Sequence, residues 1–141
     1  MAKARLPLWL AALWWGSLST VGFGVVPMLF ANLPTPAMAG GMAAKLFAAQ
    51  TWVSAVCGLV LLLLSRAEAA SAMVAKLRDA MPFILGGMLL ALLSEFAVAP
   101  RIVARDNLAL WHSVGSGMYL LQWVCSAVVL WKLTVIEAPP G

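Results

Sequence analysis

Charged side chains in this chain are almost confined to the edges of four long apolar runs, and that pattern leaves few folds open. The runs cover about residues 8–30, 46–64, 82–98 and 108–133. Crossing the hydrocarbon core of a bilayer takes roughly 17–25 apolar residues in a helix. A helix is the only single segment that satisfies its own backbone there, away from water. The expected fold is therefore all-α: an integral membrane four-helix bundle built as one transmembrane domain, with little of the 141 residues left for anything outside the bilayer. Only 10% of the residues are charged, against about 25% in ordinary soluble domains. That excludes a soluble globular domain and a disordered tail. The basic residues form no stripe interleaved with aromatics, so nucleic acid is not an expected partner. The lipid bilayer is.

Prolines and polar clusters mark the expected span ends. Pro7 suits the first turn of a helix, and Pro27 predicts a kink in the last turn of the first span or an early end to it. Asn32, Pro34, Thr35 and Pro36 predict a turn. Residues 37–45 are either an interfacial half-helix or the first turns of the second span. Residues 65–79 read as a solvated helical connector, Pro82 as the start of the third span and Pro100 as its stop. Residues 101–107 form a short loop, and the tail from Glu137 to Gly141 cannot continue a helix. Lys3, Arg5 and the later Ala37-Met38-Ala39 imitate a secretory signal, but the run from Pro7 to Phe30 far exceeds the 7–15 residues of a signal core. A retained first span is expected. With the N-terminus inside, the inner side holds Lys3, Arg5, Arg66, Lys76, Arg78 and Lys132, and the outer side Lys45, Arg101 and Arg105. Six against three favours both termini in the cytoplasm. Trp9, Trp111 and Trp131 lie near span ends, where an aromatic belt belongs. Gly16, Thr20 and Gly24, then Ser54 and Gly58, then Ser113 and Gly117, repeat small residues at four-residue spacing, which lets helices approach closely in lipid.

Ionisable groups inside spans carry the most information, because burying one in lipid is costly unless it is paired. Glu95 lies five residues before Pro100 and His112 five after Asn107, so both are expected about 7 Å inside their helix ends at 1.5 Å per residue. Gln50 and Thr51 approach the same level, Lys45 stands just above, and Arg101 and Arg105 overlook it from the loop. One reading makes Glu95 and His112 a polar pair fixing the register of two helices. The other makes Lys45, Gln50, Glu95, Arg101, Arg105 and His112 an outward-facing pocket for a small ligand, a lipid headgroup or a partner. A second copy of the chain or another membrane protein is a possible companion. Copper or a metal complex held by His112 and nearby Met28, Met38, Met42 and Met118 is an alternative, these being soft or borderline ligands. Cys57 and Cys125 are expected to differ in depth by roughly 9 Å, too far to share an ion. A lone histidine cannot supply a bis-histidine haem site. No nucleophile elbow, zinc-protease helix, phosphate loop or paired intramembrane aspartate is present, so nothing argues for an enzyme and no catalytic residue is assigned.

The string from Gly16-Ser17-Leu18 through Pro27-Met28-Leu29-Phe30, followed by Ala39-Gly40, Lys45-Leu46-Phe47 and Trp111-His112-Ser113, resembles the small four-helix family of transmembrane protein 205 and the bacterial domain of unknown function DUF4149. The resemblance implies that Gly16, Pro27, Phe30, Gly40, Lys45, Phe47 and His112 carry the family pattern, and it places the chain in a bacterial inner membrane. Ser113 stands where a glycine usually follows the histidine, and Gln122 where the last span often has asparagine. A more distant similarity is to CopD-like membrane proteins and HemJ-type protoporphyrinogen oxidases, which would imply copper, haem or porphyrin-linked redox chemistry. Those proteins place a histidine early in the first span, and this chain has none there.

Overall fold

A computed structural model describes residues 2–68 and 71–135, with side chains from Arg5 onward. The tail from Glu137 to Gly141 and the side chain of Lys3 lie outside the described residues. Among those described, every regular element is helical. In chain order they are α1 (Ala2–Ser19), a π-helical turn (Thr20–Val25), α2 (Val26–Asn32), α3 (Pro36–Ser65), α4 (Ala72–Leu93), a second π-helical turn (Ser94–Val98), α5 (Ala99–Val103) and α6 (Leu108–Thr134). They join into four helices long and apolar enough to cross a membrane: Arg5–Asn32, Pro36–Ser65, Ala72–Val103 and Leu108–Thr134. Each span packs on its neighbours in sequence, and the first also closes on the fourth. The result is a four-helix bundle.

The prolines do not end helices as their positions suggest. Pro7 is the sixth residue of α1 and Pro82 lies inside α4. The third helix begins instead at Ala72, where the Ser71 hydroxyl accepts the Val74 N–H at 3.3 Å, an N-cap that starts the helix within the expected connector. Pro27 and Pro100 each follow a π turn by two residues. In the first span the Val26 N–H reaches back to Val21, and in the third the Ala99 N–H reaches Ser94. A proline lacks an N–H, and its ring collides with the carbonyl four residues earlier. Widening the preceding turn moves that carbonyl aside, so the helices run on to Asn32 and Val103. The second span gains its length from Thr35, which caps α3 by accepting the Met38 N–H at 3.2 Å, with Pro36 in the first turn. Residues 37–45 are therefore the opening turns of this one helix.

Two diagonal contacts fill the middle of the bundle. Trp14, fully buried, crosses from the first span to Gly87 of the third, where an added Cβ would stand 2.8 Å from its ring. Ser54 of the second span donates to the Gln122 carbonyl oxygen of the fourth at 2.7 Å. Three more hydrogen bonds join the first span to its neighbours at the same depth. Gln50 donates to Ser17 at 2.9 Å, the Trp123 indole to Ser19 at 2.8 Å, and the Tyr119 hydroxyl to the Leu18 carbonyl at 2.7 Å. Ser17, Gln50 and Gln122 each lie within two residues of the midpoint of their spans. Interhelical polar contacts act as glue where lipid offers no hydrophobic drive to associate. Below this layer an apolar core gathers Ala11, Cys57, Leu61, Leu77, Ile84, Val129 and Leu133, with Leu18 joining it from the layer itself.

The expected small-residue stripes are only partly used. Nothing lies within 4 Å of a Cβ built on Gly16, Gly24, Gly40 or Gly117, so these positions face open space. Close approach occurs at Gly58 against Met88, at Gly87 against Trp14 and at Gly22 against Tyr119, whose ring would be 2.4 Å from an added Cβ.

Candidate functional site

Register decides which polar residues share a level. A Cβ on Gly115 would lie 3.4 Å from Val98, which sets these residues opposite one another in the antiparallel third and fourth spans. Carried along that pair, His112 stands level with Arg101, and Glu95 level with Met118. Six residues separate the two levels, about 9 Å along the axis. The expected equality of depth for Glu95 and His112 fails, because the third helix does not stop at Pro100 but continues to Val103. No hydrogen bond or ion pair joins them. His112 is exposed and Glu95 half-buried within the π turn. Glu95→Gln and His112→Gln are expected to change stability additively, within about 0.3–0.5 kcal/mol. A double-mutant cycle by reversible unfolding in detergent measures this; a coupling above 1 kcal/mol would restore the pair.

The second and fourth spans run parallel, and the Ser54–Gln122 bond fixes their alignment. Nine residues back along each, Lys45 falls level with Ser113. Lys45, Arg101 and His112 thus occupy one level on three different spans, and all are exposed. Arg105 stands in the turn above them, exposed, with a left-handed φ of 56°. Asn107, at φ 42°, directs the chain into α6. Asp106 is the acidic residue at this end. It faces Arg101 at 3.7 Å with both side chains more than half exposed, a geometry typically worth 1 kcal/mol or less. Arg101 also lies 4.8 Å from the centroid of the Trp111 ring, a cation–π contact that steadies it. Lys45, Arg105 and His112 have no side-chain hydrogen bond among the described residues. The arrangement is an exposed cationic rim on three spans and their loop.

Gln50 does not belong to that rim. It is 4% exposed and donates its amide to Ser17, because the helix carrying it begins at Pro36 and so draws residue 50 down to mid-span. A span starting at residue 46 would put it near the mouth. The same shift revises the cysteines. Cys57 and Cys125 each lie three residues beyond the Ser54–Gln122 bond and so share a level, though both thiols are free. Among the described residues no three His, Cys, Asp or Glu side chains are close enough to share a metal ion. Of the family-pattern residues, Pro27 and Phe30 are exposed, while Phe47 packs edge-on against Tyr119 with centroids 5.2 Å apart. The residues missed from sequence are the mid-span set: Ser17, Ser19, Ser54, Tyr119, Gln122 and Trp123. Their signal was available, as polar side chains at matched depth in three of the four apolar runs.

Fold and rim together define a multi-pass helical membrane protein whose intramembrane polar groups mostly satisfy one another and whose cations lie at the ends of the bundle, Lys45, Arg101 and Arg105 at one of them. The chain belongs to the DUF4149 family, a domain of unknown function, whose model matches residues 9–109. That match takes in Lys45, Glu95, Arg101 and Arg105 and ends before His112. Comparison with curated proteins and with solved structures finds no match.

Proposed function

We propose that this is a non-enzymatic membrane protein that binds a phosphate-bearing anion, the headgroup of an anionic phospholipid, on the rim of Lys45, Arg101, Arg105 and His112. The observation that carries this reading is the register. It sets three cationic or titratable side chains on three spans at one level, with Asp106 already facing Arg101. Basic groups at this depth attract anionic headgroups. In this reading the end carrying both termini, richer in basic residues, lies in the cytoplasm of a bacterium and the rim faces outward from the inner membrane. Kinship with transmembrane protein 205 belongs to the same reading and rests on the Pro27–Phe30 and Lys45–Phe47 segments.

Ligand binding to the folded state alone raises its stability by RT ln(1 + L/Kd), with L the free ligand concentration. The protein is expected to unfold at higher denaturant in nanodiscs containing phosphatidylglycerol than in phosphatidylcholine alone. Lys45→Gln/Arg105→Gln is expected to lower that gain. Inorganic phosphate added to phosphatidylcholine discs is the second arm. If phosphate alone reproduces the gain, the ligand is a free anion; if the wild type is equally stable in both lipids without it, the headgroup reading is wrong.

A further inference from the structure

The opposite end of the bundle carries a second lipid-shaped feature, made from different residues. Two shallow grooves lie on either side of Trp131, whose ring is 71% exposed in the last turns of α6. One, of about 310 Å³, is lined by Trp15, Ala127, Leu130, Trp131 and Thr134. It runs from Thr134 to Ala127, seven residues or about 10 Å toward mid-span. The other, of about 250 Å³, is lined by Lys76, Asp79, Trp131, Lys132 and Val135. The first is almost wholly apolar and lies along the membrane-facing length of the bundle. The second mixes charged with apolar lining and lies at its rim. A site that is charged at the surface and apolar below it matches an amphiphile, with Trp131 between the two halves where interfacial tryptophans belong.

The charges choose the amphiphile. Lys76 donates to the Val135 carbonyl at the end of α6, which leaves the other two N–H groups of its ammonium available. Lys132 makes no hydrogen bond among the described residues; its ammonium sits 5.9 Å from the centroid of the Phe83 ring. Asp79 is one turn from Lys76 on α4 but forms no ion pair with either lysine within 4 Å among the described residues. Arg78 nearby is engaged by the Ser65 and Ala67 carbonyls, at 3.2 and 3.4 Å. Two lysines against one carboxylate leave the cleft cationic. Basic clefts between transmembrane helices are sites for phosphate-bearing headgroups.

We propose that an anionic glycerophospholipid binds here, its phosphate between Lys76 and Lys132 and one acyl chain across Trp131 along the Trp15–Leu130 groove. This site does not depend on the Lys45 rim. Native mass spectrometry of the full chain released from mild detergent, titrated with phosphatidylglycerol, phosphatidylcholine or soluble glycerol 3-phosphate, tests it. Phosphatidylglycerol is expected to bind more tightly than phosphatidylcholine, and Lys76→Gln/Lys132→Gln to weaken it by about fivefold per lysine, the size of one basic residue's attraction to an anionic lipid. The titration is run in the Lys45→Gln/Arg105→Gln background, which silences the rim, and the same lipid preference and the same loss on Lys76→Gln/Lys132→Gln are expected there, so failure here and failure of the rim reading are told apart. Asp79→Asn, which removes the one like charge, is expected to tighten binding, and it supplies a readout even if the double lysine variant does not fold. Equal binding of the two lipids, undiminished binding in the lysine variant, weaker binding in Asp79→Asn, or glycerol 3-phosphate binding as tightly as the lipid would each overturn the proposal.

Discussion

Gly87→Leu is expected to cost about 2–3 kcal/mol of unfolding free energy, toward the upper end of what overpacking a close-packed interior does. The reason is local. Even one methyl at this position would lie 2.8–2.9 Å from Cζ2 and Cη2 of Trp14 and 3.4 Å from Cβ of Cys125. Trp14 is fully buried and its indole has no room to swing aside. Gly58 offers the contrast. A methyl there would meet the Cγ and Sδ of Met88 more closely still, but with a flexible, half-buried chain that adapts readily. Gly58→Ala is therefore expected to cost less than Gly87→Ala. Trp14→Phe, which removes the far ring that Gly87 faces, should recover part of the Gly87→Ala loss. Reversible unfolding in mixed micelles measures all four variants. A Gly87→Leu protein as stable as wild type would mean that the first and third spans do not meet across the centre.

Gln50→Leu combined with Gln122→Leu is expected to cost about 2–3 kcal/mol. Single interhelical hydrogen bonds in membrane proteins average about 0.6 and reach about 1.7 kcal/mol. These two glutamines hold the first span to the second through Ser17 and the second to the fourth through Ser54, at 2.9 and 2.7 Å. Gln122→Leu also strands a hydroxyl, whereas Ser17 still donates to the Trp14 carbonyl at 2.9 Å when Gln50 is replaced. Ser54 is fully buried, so losing its acceptor adds a desolvation cost to the missing bond. Ser54→Ala in the Gln122→Leu background should return part of the stability by removing that hydroxyl. Additive losses for Ser54→Ala and Gln122→Leu would show that the pair is not coupled. Circular dichroism should stay helical throughout, since α-helical backbone bonds are internal to each span.

Four spans were legible in the apolar runs because lipid leaves so few ways to satisfy a backbone. Depth within the spans was not, for two reasons. Pro7, Pro82 and Pro100 read as boundaries, yet Pro7 and Pro82 sit inside helices, and a π turn makes room for Pro100 as it does for Pro27. Such a turn shifts everything beyond it and follows no composition rule. The second span, in turn, begins ten residues before its apolar run, since Thr35 and Pro36 start α3 ahead of Ala37 to Lys45. Those shifts carried Gln50 to mid-span, levelled Cys57 with Cys125 and parted Glu95 from His112. Lys45, Arg101, Arg105 and His112 stayed together at one end, because short turns and exposed ends are where cations in such a chain are cheapest to keep. Of the mid-span serines only Ser54 stands out in sequence, as a small residue at four-residue spacing from Gly58, although Ser17, Ser19 and Ser54 all hydrogen-bond across helices.

The rim is tested most directly by calorimetric titration of short-chain phosphatidylglycerol into detergent-solubilised protein carrying Lys76→Gln and Lys132→Gln, so that the groove at the other end is silent. Binding is expected to weaken steeply with added salt, since exposed charges are screened within about 10 Å at 0.1 M. Adding Lys45→Gln, Arg105→Gln and His112→Gln should abolish the heat. Binding that survives all three substitutions, or that ignores salt, would contradict the account.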